Sequence, residues 1–585
     1  MRPTLVIVGA GPRGTGVLER IAANAAELAP GAGLDIHLVD PHPPGPGRVW
    51  RTAQSPLLWM NSRAEDVTLF TDSTVEMAGP VTEGPTLHEW AGLDGDAFVG
   101  RRLQGSYLRW AFERAVAALP PDVTVHHHPC RALRVSGPRE GRQRVWLEGR
   151  PQPLLADLVV LTLGHLDAEP DAEQVELSAY ARAHDLVHLP PDFTADSDLD
   201  PLRPGEPVLV RGFGLAFVDL MVLLTEGRGG RYDGDTYVPS GKEPVLYVGS
   251  RRGVPYHSKI GYGLDGAPPP LPRFFGPAEA DALLARPGGF DFRRDVWPLV
   301  AKELGFAHYH RLFTAHPERT TLAWSTFEGK YAAGDDPAER AALVEAAVPD
   351  PADRLDLAAL DRPLAGVRYG SHEAFQEGLR RRVEADLKRR HDPAHSPDQA
   401  VFLALLSVYG QLMRLGDIGS WWHGFFSFLA SGPPGPRLRQ LLALSRAGVL
   451  RFAGADLAVR AEDGVFRAAS PTVPGFTVQA RALVEARLPE PTVARSRDPL
   501  LRELYAEGAA ATPDGLLRVD PDDGRVLDGA GRPHPRRFAL GPHTDVRGAG
   551  AFTRPRSGGP AFRQNDAAAR AALTFLRSLE RRAAA

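Results

Sequence analysis

One cysteine, five lysines and no long hydrophobic run are the shortages of this chain, and each removes a class of protein. With Cys130 alone, no disulfide framework, CxxC redox pair or thiolate zinc site forms within the chain. No apolar stretch approaches the ~20 residues of a membrane span. The first apolar run enters a glycine turn and lacks the cleavage site of a signal peptide, so a cytoplasmic protein is expected. A net charge of -4 argues against a general basic surface for nucleic acid. Lysine is confined to Lys242, Lys259, Lys302, Lys330 and Lys388, so arginine carries the positive charge, and an isolated arginine says little about function.

What is present is a soluble globular composition, 43% hydrophobic and 24% charged, on a chain too long at 585 residues for one core. Two or three domains are expected. The stretch LVIVGAGPRG (5–14) reads as a buried strand broken by glycines, followed by a helix. Gly9, Gly11 and Gly14 have the G-x-G-x-x-G spacing: one for the tight turn, one for backbone approach to a pyrophosphate, one for helix packing. The helix N-terminus, with Pro12 and Arg13 at its start, then faces the phosphates. A second strand, LDIHLV (34–39), ends at Asp40, an acid placed to accept from a ribose 2′-hydroxyl and to repel a 2′-phosphate. A further buried strand, DLVVLTLGH (157–165), ends in T-x-G at Gly164 and resembles the strand by which two-dinucleotide flavoproteins leave the FAD domain.

The plan repeats in EPVLVRGFGLAFVDL (206–220), where Gly212 and Gly214 keep the first two glycines and Phe217 stands in place of the third. The next strand, PVLYVGSRRG (244–253), ends in Arg251 and Arg252 where the first site has an acid. Guanidinium groups there favour a 2′-phosphate. Opposite 2′ preferences suggest FAD at the first turn and NADPH at the second. The tail agrees: RRFALGPHTDVR (536–547) reads as a strand ending at Gly541, and Asn565 with Asp566 is expected to cap an alanine-rich last helix near the flavin. FAD reduced by NADPH without redox cysteines leaves a monooxygenase, a ferredoxin reductase or a simple electron donor.

The segment 44–72 has no helical or strand period and is expected to be a long functional loop holding Arg48, Trp50, Arg51, Met60 and Asn61. Its order of features resembles the flavin-containing and N-hydroxylating monooxygenases. Closer still, GAGPRG, DPHPPGPGRVWRT and MN followed by VTLFTD resemble a group of bacterial FAD/NAD(P)-binding proteins that includes nitrosuccinate-forming aspartate N-monooxygenases. The likeness covers most of the chain and is most specific in the first ~170 residues. It implies N-oxidation of a small amino acid by O2, with aspartate favoured, through a C4a-hydroperoxyflavin. Met60 and Asn61 would stand at the isoalloxazine as the catalytic pair. Arg48, Trp50 and Cys130 join the FAD set. Two alternatives stay open: an ornithine- or lysine-type N-hydroxylase, and a flavin-binding partner or sensor without turnover.

The fold class expected is α/β: two Rossmann-like dinucleotide-binding domains, for FAD and NADPH, with a largely helical insert. Boundaries are read as FAD domain 1–200 and 493–585, NADPH domain 201–263 and 436–492, and a helical substrate or lid insert over 264–435. An acidic substrate needs cations, for which His257, Lys259, Arg293 and Arg437 are candidates. The run His126-His127-His128 reads as strand rather than metal site, because neighbours on a strand point to opposite faces. No metal, nucleic-acid or membrane partner is expected, and a homo-oligomer is left open.

Overall fold

In the computed structural model, residues 2–334, 336–416, 418–490, 492–546 and 550–584 are described. The chain divides into two compact units, Met1–Asp171 with Pro489–Ala585, and Ala172–Leu488. In the first, Thr4–Val8 lies at the centre of a six-stranded sheet ordered Arg525–Leu527, Pro533–Ala539, Leu158–Leu161, Thr4–Val8, Leu34–Val39, Val123–His128. All its pairings are parallel except that of the first-named edge strand. Leu5, Val6 and Ile7 are buried from both faces, as a central parallel strand requires. One face packs on the first helix, Pro12–Leu28, and on the C-terminal helix, Pro560–Ala584.

The second unit repeats the design with five parallel strands ordered Val187–Leu189, Ala482–Glu485, Pro207–Arg211, Val245–Ser250, Leu450–Ala455. Each unit also carries a three-stranded antiparallel sheet, Ala132–Ala156 in the first and Ala458–Ala480 in the second. Between Val245–Ser250 and Leu450–Ala455 the chain is helical, with its own aromatic core around Phe306, Tyr309, Phe313, Phe327 and Tyr331. The division falls earlier than the sequence boundary at 200/201. Residues 172–200 go with the second unit because Val187–Leu189 pairs with Ala482–Glu485, a partner nearly three hundred residues away.

Two further expectations are revised. The segment 44–72 is not wholly irregular: Trp59–Arg63 forms a short strand paired with Phe98–Gly100. The last helix starts at Pro560, so Asn565 lies a turn inside it instead of capping it.

The histidine run is strand, paired with Leu34–Val39. His37 of that neighbour stacks between His126 and His128, with ring centroids 4.8 and 5.1 Å away. His37 Nδ1 and His128 Nε2 are 2.8 Å apart, so one donates and one accepts. Burial, then the neighbouring His37 and Arg150, push His128 down to about 4, and burial also lowers His37. Among the described residues no group of His, Cys, Asp or Glu could hold a metal ion, and no helix is long and apolar enough to cross a membrane.

Candidate functional site

The first glycine turn sits at the carboxyl end of Thr4–Val8. Gly9 has φ +102°, and a Cβ there would lie 2.2 Å from the Thr162 carbonyl oxygen, so no side chain fits. A Cβ on Gly14 would lie 2.2 Å from the Gly9 oxygen; glycine here lets the helix approach the strand end. Gly11 differs. Its φ of -71° suits any residue, and the nearest atom to an added Cβ is Gly47 Cα at 3.6 Å. Glycine at 11 therefore leaves room for something that is not protein. The helix beginning at Pro12 has no side-chain cap and no acid in its first turn, leaving its leading N–H groups for an anion.

Asp40 stands at the end of the next strand. Its Oδ2 accepts from the Ala10 N–H at 2.7 Å and its Oδ1 from the His42 N–H at 2.8 Å. Burial raises its pKa against the pull of these two donors. Each oxygen keeps a further acceptor direction for a ribose hydroxyl. Uncapped helix, open Gly11 and paired acid together suit the adenosine pyrophosphate of FAD.

Several expected cofactor residues turn out to act on protein. The buried Arg13 guanidinium donates to the Ala561 oxygen at 3.2 Å, to Asn565 Oδ1 at 3.1 Å and to Gln564 Oε1 at 3.1 Å. Burial pulls it down to about 10. It clamps the start of the C-terminal helix over the glycine turn. Asn565 packs beside Gly16, where a Cβ would come within 2.3 Å of its Nδ2. Met60 is 2% exposed among Leu87, Val99, Tyr107 and Leu108, so its thioether belongs to the core. Strand alternation turns the half-buried Asn61 to the other face, so the expected pair is split.

Arg48 pairs with Asp167 at 2.8 Å, and Trp50 meets Phe552 edge-on at 5.5 Å. Gly164 and Gly541, both at positive φ, end Leu158–Leu161 and Pro533–Ala539 on the same carboxyl edge as the glycine turn. Cys130 is half-buried, and burial pushes its thiol up and away from reactivity. His165 was not picked out by sequence, although it directly follows Gly164. It is exposed, and desolvation and then Arg48 lower its pKa.

The second glycine turn repeats this plan in part: a Cβ on Gly214 would come within 3.0 Å of the Tyr256 ring, so its second glycine faces protein where Gly11 is open. Gly212 has φ +130°, and a Cβ there would lie 2.4 Å from the Ala486 oxygen. The helix Leu215–Leu224 has Gly214 as its N-cap, with no side-chain cap and no acid in its first turn. The missing third glycine is explained by packing: Phe217 is fully buried and meets Phe213 edge-on at 5.0 Å. The two arginines at the 2′ end separate. Arg252 is buried, pairs with the Asp361 carboxylate, donates from Nε to the Asp361 backbone oxygen at 2.8 Å, and lies over the Phe428 ring. Arg251 is exposed.

The substrate candidates divide likewise. His257 Nδ1 lies 2.6 Å from Asp386 Oδ1. Burial alone would raise Asp386, but His257, Arg390 and the Ser258 N–H outweigh it and hold the carboxyl at about 2. Lys259 Nζ donates to the Ala430 oxygen at 2.6 Å, capping the end of Ser420–Ala430. Arg437 is buried against Glu226 and Gln440. These three hold the second unit together. Arg293 alone is exposed, with its guanidinium 3.6 Å from the centroid of Trp421.

The FAD-NAD(P)-binding family matches residues 6–166. The chain is 39% identical to an L-aspartate N-monooxygenase (nitrosuccinate-forming) of Streptomyces davaonensis, over 99% of each chain. It is 37% identical to a nitrosuccinic acid synthase of Aspergillus oryzae, over 97% of this chain and 92% of that one. Among solved structures, an ornithine hydroxylase from Pseudomonas aeruginosa is similar at 10% identity and TM-score 0.46, covering 98% of this chain and 100% of that one.

Proposed function

The chain belongs to the family of the nitrosuccinate-forming L-aspartate N-monooxygenases, and from that membership we propose that it N-oxidises L-aspartate towards nitrosuccinate, using FAD, NADPH and O2. The observation in the molecule that carries this reading is the pairing of two uncapped glycine turns with opposite charge at their 2′ ends, Asp40 after the first and exposed Arg251 after the second. FAD would lie along Gly9, Gly11, Gly14 and Asp40, with Gly164, Gly541 and Asn61 on the flavin side. Arg13 and Asn565 support that site through the last helix. NADPH would take Gly212, Gly214 and Arg251, while Arg252 braces the strand end from behind.

Bound FAD, reduced by NADPH, supplies the oxygen-activating chemistry. The protein's own work is to orient the amine, exclude water and keep the reacting nitrogen unprotonated. A cation beside the ammonium would favour that proton loss and a carboxylate would oppose it.

The test is a panel of L-aspartate, L-ornithine and L-lysine, incubated with holoenzyme, NADPH and air and scored by mass for added oxygen. Aspartate is expected to be oxidised at least ~100-fold faster than either diamine, a discrimination of the size a buried charge contact provides. Preferential oxidation of ornithine or lysine overturns the substrate assignment, and oxidation of none overturns the oxygenase.

A further inference from the structure

Nearly every guanidinium around the carboxyl end of Val245–Ser250 is matched by an acid. Arg252 has Asp361, and Arg286 and Arg294 share Asp295 at 3.2 and 2.8 Å. Arg251 and Arg293 are the exceptions: both are exposed, and neither has an ion-pair partner among the described residues.

They are brought to the same helix by packing. Arg251 Nη2 lies 3.8 Å from where a Cβ on Gly424 would stand, on the helix Ser420–Ala430. Trp421 is one turn earlier on that helix, so the two positions are surface neighbours. The Arg293 guanidinium lies over the Trp421 ring, 3.6 Å from its centroid. Trp421 is also packed by aromatic rings, with Phe425 stacked at 5.2 Å and Trp297 edge-on at 4.8 Å. Its indole N–H donates to Asp361 Oδ2 at 3.0 Å. Asp361 thus fixes two things at once: Arg252 beside Arg251, and the ring on which Arg293 rests.

We propose that Arg251 and Arg293 form a two-arginine clamp for the 2′-phosphate of NADP(H), with Trp421 and Asp361 as positioning residues. The inference rests on the reading of the second glycine turn as the NADPH turn. A phosphate monoester carries close to two negative charges at neutral pH and offers three acceptor oxygens. Two guanidinium forks match that charge and geometry, and the one held on an indole keeps its N–H edge outward for a ligand. The clamp takes Arg293 out of the substrate set and gives the helical insert a share in cofactor selection.

The experiment is a binding titration of NADP+ and NAD+ into FAD-loaded protein by calorimetry, without turnover. Wild type is expected to bind NADP+ more tightly than NAD+. Arg293→Ala and Arg251→Ala should each weaken NADP+ by about ten- to hundredfold, the worth of one charge-assisted contact, and leave NAD+ within about twofold. Arg293→Lys keeps the charge but loses the fork and should fall between. Trp421→Leu should copy Arg293→Ala, whereas Trp421→Phe, which keeps a stacking face, should retain part of the preference.

An equal loss for both nucleotides in Arg293→Ala makes Arg293 a fold residue and overturns the clamp. Unchanged NADP+ binding with a raised KM for aspartate returns Arg293 to the substrate and also overturns it. If wild type binds neither nucleotide, the reading of the second turn itself falls. Melting temperatures within a few degrees of wild type separate these outcomes from misfolding.

Discussion

Replacing Gly11 with alanine is expected to give a folded protein that holds FAD far more weakly. The turn contains three glycines with different reasons to exist, and only Gly11 is free of protein neighbours closer than 3.6 Å. Its backbone angles, φ -71° and ψ -165°, are open to any residue, so the new methyl strains nothing. The methyl would instead occupy the space through which a pyrophosphate approaches the first N–H groups of the helix. A loss of roughly hundredfold in FAD affinity follows, about 2.7 kcal/mol. Gly9→Ala is the contrasting control, because its Cβ would meet the Thr162 oxygen at 2.2 Å with φ at +102°. That variant should lose stability as well as flavin. Flavin absorbance per protein and the apo melting temperature read both effects. Unchanged FAD affinity in Gly11→Ala would contradict the placement of FAD at this turn.

The second large effect is expected at Asn61. Alternation along Trp59–Arg63 sends Met60 into the core and Asn61 to the other face, so Asn61→Ala removes a side-chain amide without opening the packing around Tyr107 and Leu108. If Asn61 steadies the flavin side of the site, the variant should bind FAD and consume NADPH while releasing roughly fivefold more hydrogen peroxide per NADPH, the effect of one lost hydrogen bond of about 1 kcal/mol. Peroxide and NADPH measured together decide it. Unchanged coupling assigns Asn61 to the turn and nothing more.

The glycine turns were legible in the sequence because each is local. Strand, turn, helix and the acid or arginine at the next strand end fall within a few dozen residues, and their spacing encodes the geometry directly. The arginine roles were not legible, because what an arginine does depends on which acid or carbonyl faces it. Arg13 is answered by Asn565 and Arg252 by Asp361, separations of 552 and 109 residues that no local pattern carries. The same applies to the pairing that draws residues 172–200 into the second unit. Met60 and Asn61 form a pair only by resemblance, and a five-residue strand inside an irregular stretch shows too little period to reveal that they face opposite ways.

The most direct measurement is turnover of L-aspartate by the FAD-loaded enzyme with NADPH under 18O2, followed by mass spectrometry of the product. The account predicts nitrosuccinate or its hydroxylamine precursor, with the oxygen on nitrogen carrying the 18O label. Unmodified aspartate, with NADPH consumed only to give labelled peroxide, would contradict it.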